Sequence, residues 1–494
     1  MAQSTVDPFS LEADWHFHLV DGDWVTPSGR ATIDDRNPAT GETIAEIPAA
    51  TPEDVDAAFA AATAAQPAWA AAPPQVRAEV ISTVIGLVHA HAEAIKGVSI
   101  AESGGTHVKA HVEVEHIAPG SLAESASFPL RAQGRRAQSV VPGKENVVHR
   151  EPVGTVGVIT PWNFPFNLTL RAVAPAVALG NAVVLKPAED TPILGGLLIG
   201  KLFEEAGLPP GVLNVVPGYG ADAGDAVAAH PDANVVAFTG STETGKQVMR
   251  RAAEHLAQPA LELGGNNPYL VLDDADMDVA VDAGVFGSFV HQGQVCISIN
   301  RHLVHESRYD EYVERLAERA ASLTVGDPAD PDTDVGPLIN EAQRDKVVGY
   351  LEDTVDAGAT IEAGGGHDGL FVEPTVLSGV TNDMPASCNE HFGPVAPVIP
   401  FADDDEAVAM ANDTEYGLAA SVISTDLFRA KALADRLEAG MVHINDMTIN
   451  DDPHIPFGGV KASGLGRYNT DTIMDTFTEY KWVSVQHEPR EFPF

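Results

Sequence analysis

An α/β protein built on parallel sheets is what this sequence predicts, and three observations carry that reading. Between Val153 and Leu263 short apolar runs alternate with helical stretches, the βαβ rhythm of a parallel sheet with helices on both faces. After Pro268 the rhythm starts again, which predicts a second α/β unit. A length of 494 residues exceeds a single compact core and agrees with two or three domains.

Taken in order, the first fifty residues read as short strands, with hairpin signals at Asp21-Gly22 and Ala39-Thr40-Gly41. Thr51-Pro52-Glu53-Asp54 then offers an N-cap with proline at the first helical position. An alanine-rich helix follows to about Trp69, and a second is expected over residues 76–96. Residues 131–150 revert to polar hairpin character with Pro142-Gly143 at the bend, an excursion from the helical region around it. The strand candidates of the first parallel sheet are 156–160, 182–186, 212–216, 235–238 and 260–263. Such a sheet binds its ligand beyond the carboxyl ends of the strands, as a dinucleotide domain does. Yet no Gly-x-Gly-x-x-Gly follows any of these strands. In the second unit a helix is expected from Met277 to about His291, a strand at 301–305 and a helix at 308–323. A helix at 403–411 and strands at 418–424 and 440–445 follow, then the glycine-rich Pro456-Phe457-Gly458-Gly459 leading into Ser463-Gly464-Leu465-Gly466-Arg467. The terminal run 477–486 is β-prone and suited to pairing with another subunit's sheet edge.

Charge narrows the function classes. Against 29 basic residues stand 71 acidic ones, a net −42. That surface repels nucleic-acid phosphates and anionic lipid, so neither is expected as a partner. The acidic residues are spread along the chain and the bases lean to arginine, a pattern that suits solubility in a salt-rich cytoplasm. Two cysteines are too few for a disulfide framework and fit a reducing compartment. No basic leader opens the chain, no apolar run reaches the ~18 residues of a membrane span, and a cytoplasmic protein is expected.

Several short motifs bear on chemistry. Leu261-Glu262-Leu263-Gly264-Gly265 holds an isolated carboxylate before a glycine pair, and Gly293-Gln294-Val295-Cys296 holds one of the cysteines. Cys296 reads as a nucleophile served by Glu262, or as a small buried hydrophobe beside a structural acid. In Pro161-Trp162-Asn163-Phe164-Pro165 a rigidly held amide suits an oxyanion donor, with an Asx-turn as the plainer reading. Lys186 and Glu189 sit just past a buried strand, where a carboxylate can accept from both hydroxyls of a ribose and repel a 2′-phosphate; isolated surface charges would look the same. Phe238-Thr239-Gly240-Ser241 is a strand-to-helix turn fit for a phosphate or for a simple helix cap. It is not a triphosphatase loop, because Gln247 stands where the magnesium-binding hydroxyl is required. His291 is set aside as a base, lying about one and a half helical turns before Cys296 with no third group to complete a triad. Cys388 has no partner motif and reads as structural.

With Lys186-Pro187-Ala188-Glu189, Glu390-His391-Phe392-Gly393-Pro394 and Pro456-Phe457-Gly458-Gly459, these stretches occur in one order along nearly the whole chain. In that order they resemble the aldehyde dehydrogenase superfamily, whose dinucleotide domain also lacks the usual glycine fingerprint. Asn266 and Tyr468 depart from the superfamily's common lysine and glutamate, and neither is expected to touch the chemistry. Tyr468, with His443-Ile444-Asn445-Asp446 and Asp451-Asp452-Pro453-His454, is closer to the benzaldehyde and vanillin dehydrogenase branch.

The resemblance implies a Rossmann-like cofactor domain at 1–130 and 151–263, a catalytic domain at 264–470, and a small β oligomerisation arm at 131–150 and 471–494. It implies that Cys296 attacks the aldehyde, Asn163 holds the oxyanion, and Glu262 activates water to hydrolyse a thioester. NAD is the implied cofactor, with NADP possible, held by Thr160, Pro161, Trp162, Lys186, Glu189, Gly220, Phe238, Gly240, Ser241, Leu263, Gly264, Glu390 and Phe392. Arg171, Val290, Ile297 and Phe457 are the implied substrate pocket, no metal is expected, and a homodimer or homotetramer is. Arg171 matches an arginine shared with succinate-semialdehyde dehydrogenases, but the second arginine those enzymes use is here Val290. An aromatic aldehyde is therefore expected, with a succinate-semialdehyde-type enzyme as the alternative. A CoA-acylating relative usually lacks the glutamate, and a non-catalytic one has no reason to keep Cys296, Glu262 and Asn163 together.

Overall fold

The sheet that positions the site has eight strands, in the order Asp23–Val25, His18–Val20, Leu213–Val215, Ala182–Lys186, Thr155–Ile159, Val235–Thr239, Gln258–Glu262 and Gly464–Leu465. A computed structural model describes residues 6–494; the N-terminal stretch read as leader-free begins outside them. The five strands from Leu213–Val215 to Gln258–Glu262 run parallel. They are buried on both faces. Val156, Val158, Val183 and Leu185 pack on one helical layer, while Val184, Val236 and Leu261 pack on the other. This double burial is why the runs are continuously apolar rather than alternating. The chain moves outward from Thr155–Ile159 to Leu213–Val215, then returns to add Val235–Thr239 on its other side. The switch point thus falls between Thr155–Ile159 and Val235–Thr239, where a parallel sheet opens a crevice at its carboxyl edge.

The second unit has seven strands, in the order Thr360–Ala363, Thr375–Ser378, Val395–Phe401, Ile299–His305, Asn267–Val271, Ala419–Ile423 and Met441–Ile444. All its pairings are parallel except that of Thr360–Ala363. A third sheet joins Thr478–Gln486 to Lys144–Pro152 over their full lengths and Lys144–Pro152 to Arg135–Gln138, with Gly143 at positive φ in the bend. Among the described residues no single helix is long and apolar enough to cross a membrane.

Three expectations need correction. The helix expected over 76–96 is two helices, Pro74–Ala90 and Ala92–Ser103, bent by 77°. His91 leaves the helical region at the break, where its ring packs on Phe9 and its Nδ1 meets the Asp7 carboxylate at 2.9 Å. The helix expected to reach His291 ends at Phe289, and His291, Gln292 and Gly293 are all left-handed. Finally, the chain re-enters the first unit before residue 470. Gly464–Leu465 pairs antiparallel with Leu261 and Glu262, and Tyr468, Ile473, Met474 and Phe477 join the first core. Of the stretch expected as arm at 471–494, the helix Thr470–Phe477 packs on the first core, and Thr478–Gln486 is the part that enters the third sheet.

Candidate active site

At the switch point lies a cavity of about 160 Å³ lined by Pro161, Trp162, Asn163, Gly240, Ser241, Leu263, Gly264, Cys296, Glu390 and Phe392. Each of these was anticipated from the sequence. Leu168, Thr239, Gln343 and Lys346 complete the wall and were not. Gln343 donates to the carbonyls of His391 and Phe392 at 3.2 and 2.7 Å, fixing the loop that carries Glu390. Trp162 and Phe392 meet edge to face with centroids 5.4 Å apart. Glu390 accepts the Gly265 N–H at 2.8 Å; burial raises its carboxyl, with that N–H and Lys346 opposing.

A nicotinamide dinucleotide fits this place. The cavity opens onto the N-terminus of the helix Thr242–Ala253, capped by Ser241, where phosphate is favoured. Lys186 and Glu189 stand at the end of the neighbouring strand, paired at 2.7 Å, with the Glu189 side chain still 39% exposed beside Gly220. Thr160 and Phe238 do not line the cavity. The Thr160 hydroxyl is buried against Thr169, and the Phe238 ring belongs to the core beneath Gly240.

The turn before Cys296 is anchored from several sides. Gln292 donates to the Gly104 carbonyl at 2.8 Å, the Gln294 side chain accepts from Ile339 N–H at 3.0 Å, and Asn267 donates to the Cys296 carbonyl at 2.9 Å. At Gly293, φ is +69° and any Cβ would collide with the Gly393 carbonyl, so glycine is required. Asn163 donates to the Gln294 carbonyl at 3.0 Å, which ties the amide to the cysteine turn and leaves its second N–H for a ligand. His291 is not on a shared helix with Cys296. Its ring is buried edge-on to Phe164, and burial depresses its basicity well below the usual range.

The amide's own loop is held from below by residues the sequence did not single out. Glu113 accepts the N–H groups of Phe166 and Asn167 at 3.0 and 3.1 Å, in the first turn of the helix Pro165–Ala178. Lys109 pairs with Glu113 and lies 5.0 Å from the centroid of the Phe164 ring.

Glu262 lies off the cofactor cavity, at the end of its strand. Both carboxylate oxygens are buried without a hydrogen-bond partner, and burial pushes the carboxyl up to about 8 against the pull of Arg171 and Arg467. Buried, unpaired carboxylates are rare, and active sites are one place they persist. Gly458 makes the room, since a Cβ there would strike Glu262. Burial also pushes the Cys296 thiol up to about 12, with Arg171 opposing and Glu390, Glu262 and Asp451 adding to the rise. Val290, Ile297 and Phe457 pack around Cys296 with Phe164 and Val295 in an apolar cluster outside the lining of the cavity.

Arg171 is paired with Asp451 at 3.1 Å, the two side chains 3% and 10% exposed. Its guanidinium lies 4.2 Å from the Phe457 ring centroid and 5.2 Å from that of Tyr468. Tyr468 thus packs on Arg171, and its buried hydroxyl has no partner. Asn266 stays outside, a buried amide bonded to the Ser387 carbonyl and to Asn300.

Fold and site together define a two-unit α/β protein in which a thiol lines a cavity at a sheet's switch point. The chain belongs to the aldehyde dehydrogenase family, whose model matches residues 24–483. It is 45% identical to benzaldehyde dehydrogenase YfmT of Bacillus subtilis, over 96% of this chain and 98% of that one. It is 44% identical to a vanillin dehydrogenase of Amycolatopsis, over 98% and 100%. Betaine aldehyde dehydrogenase of Staphylococcus aureus, solved with NAD+, superposes with a TM-score of 0.94 at 33% identity, over 97% of both chains. The protein is an NAD(P)-dependent oxidoreductase acting on aldehydes.

Proposed function

We propose that this enzyme oxidises an uncharged aromatic aldehyde to its carboxylic acid. The observation that carries the hydrolytic reading is the orphaned Glu262 carboxylate beside Cys296. The aromatic reading rests on the apolar wall of Val290, Ile297 and Phe457 and on the benzaldehyde and vanillin dehydrogenases among its relatives.

In this mechanism Cys296 Sγ, as thiolate, bonds to the carbonyl carbon while the C=O π pair moves to oxygen, giving the thiohemiacetal anion. The free N–H of Asn163 and the Cys296 backbone N–H hold its oxyanion; losing one such donor typically costs ~10²–10³ in rate. Bound NAD(P)+ supplies the hydride acceptor. Glu262 then takes a proton from water as the water oxygen attacks the thioester carbon, and the C–S bond breaks to return Cys296. A carboxyl raised toward neutrality is a stronger base than an ordinary one, which suits this step. Glu189 is placed to accept from a ribose diol and to repel a 2′-phosphate, so NAD is the favoured cofactor. Thr478–Gln486, with Tyr480, Trp482 and Val485 exposed along it, is the surface on which a second copy pairs, giving a dimer or tetramer. The protein works in the cytoplasm.

A turnover panel of benzaldehyde, vanillin and succinate semialdehyde with NAD+ and NADP+ tests the reading. Preference for the semialdehyde overturns the aromatic assignment, and an acyl-CoA product in place of free acid overturns hydrolysis.

A further inference from the structure

The pairing of Arg171 with Asp451 goes beyond this reading and rests on it. Arg171 packs against the apolar cluster around the thiol: its guanidinium covers the Phe457 ring, and Phe457 packs in the cluster that contains Cys296. Both Arg171 and Asp451 are close enough for their charges to bear on the thiol and on Glu262. A lone buried guanidinium here would hold a carboxylate on the far end of a substrate. That role is already taken. Asp451 Oδ2 accepts from Arg171 Nη1 at 3.1 Å, and its Oδ1 accepts from Asn469 at 3.0 Å. The side chains are 3% and 10% exposed, so solvent does not compete for them. Asn469 donates also to the Asp452 carbonyl at 3.3 Å, which holds the aspartate from the side opposite the arginine.

We propose that Asp451 is a specificity-determining residue: it occupies, within the protein, the place of a substrate carboxylate on Arg171 and so restricts the enzyme to aldehydes without an anionic tail. The pair is neutral in sum. An uncharged ring packs on the flat face left by Phe457 and the guanidinium, whereas a substrate carboxylate meets a satisfied arginine and a repelling aspartate.

The decisive experiment compares benzaldehyde with 4-formylbenzoate, which adds a carboxylate to the same ring, in the full-length enzyme with NAD+. In Asp451→Asn the ratio of kcat/KM for 4-formylbenzoate over benzaldehyde should rise by about tenfold or more, chiefly through KM. In the Arg171→Met/Asp451→Asn double variant the gain should vanish, because the freed arginine is its source. The overall field of the −42 chain acts on parent and variants alike and cancels in the comparison. A ratio that stays within about twofold in Asp451→Asn, or the same gain in the double variant, overturns the proposal. Should Asp451→Asn not fold, the parent decides through 4-formylbenzoate and its methyl ester: preference for the ester by about tenfold or more supports the proposal, and equal use overturns it. A parent that prefers succinate semialdehyde to benzaldehyde overturns the aromatic assignment and this inference together. A parent that prefers benzaldehyde, with an unmoved Asp451→Asn ratio, overturns this inference alone.

Discussion

Lys109 Nζ lies 2.6 Å from Glu113 Oε2, with both side chains wholly buried, and the other oxygen of the same carboxylate caps the helix that follows Asn163. The pair therefore reaches the oxyanion donor through the backbone. Removing one partner of a buried ion pair strands the other charge, at a cost of about 3–5 kcal/mol. Lys109→Met should lower the melting temperature and also reduce kcat more than it changes KM for the aldehyde, because Asn163 loses its foundation. Thermal denaturation and steady-state kinetics on the same preparation check this. A stable variant with parental kcat would remove Lys109 from the catalytic account.

Glu262 must be ionised to act as a base, and its carboxyl is raised to about 8. With hydrolysis rate-limiting, kcat should climb by about tenfold per pH unit below that value and level off above it. Glu262→Gln should form the thioester with a burst of NADH and then stall. A pH–kcat series and rapid-mixing traces of both proteins test the pair of outcomes; steady turnover in the variant would assign the base elsewhere.

The same carboxyl makes stability depend on pH. Its value rises from 4.5 to about 8 on folding, so the folded protein keeps a proton that the unfolded chain releases. The stabilisation is full below 4.5 and is lost as pH rises through 8, by about 1.4 kcal/mol per unit over that window. Glu262→Gln, which carries no titrating proton, should match the parent near the bottom of the window and be more stable above it. Denaturant titrations at both ends, showing no divergence between the two proteins, would contradict this.

Cys388 is exposed, while burial pushes the Cys296 thiol up to about 12. In the enzyme without cofactor, iodoacetamide at mildly alkaline pH should label Cys388 first and leave activity intact. Peptide mass analysis along the time course checks the order. Loss of activity in step with the first label would mean that Cys296 is already activated before cofactor binds.

A net charge of −42 on this fold is self-repelling in dilute buffer. The melting temperature should rise with KCl from ~10 mM, where the Debye length is ~30 Å, toward molar salt, where it is ~3 Å. A melting temperature indifferent to KCl would show that the acidic surface serves some other end.

Much of the site could be read from residue order, because its parts lie where strands end. Asn163, Gly240, Glu262 and Glu390 each follow an apolar run or a turn signal, and local pattern finds such places. Other parts are set by distant packing and leave no local trace. Lys109 and Glu113 read as ordinary helical charges until the helix Pro165–Ala178 is laid across them. Asp451 comes from a loop 280 residues from its arginine. His91 breaks a helix because Phe9 and Asp7 draw its ring aside, and helical propensity cannot register that. Gly464–Leu465 is too short to show any period at all.

That short strand has a mechanical consequence. The chain leaves the cofactor unit just after Glu262 and comes back at Gly464, and these two residues are partners across the sheet. The two crossings run side by side. Two hydrogen-bonded strands tie the units together where one crossing alone would leave a single linker, and Glu262 sits at that junction, so its backbone is held by both passes of the chain.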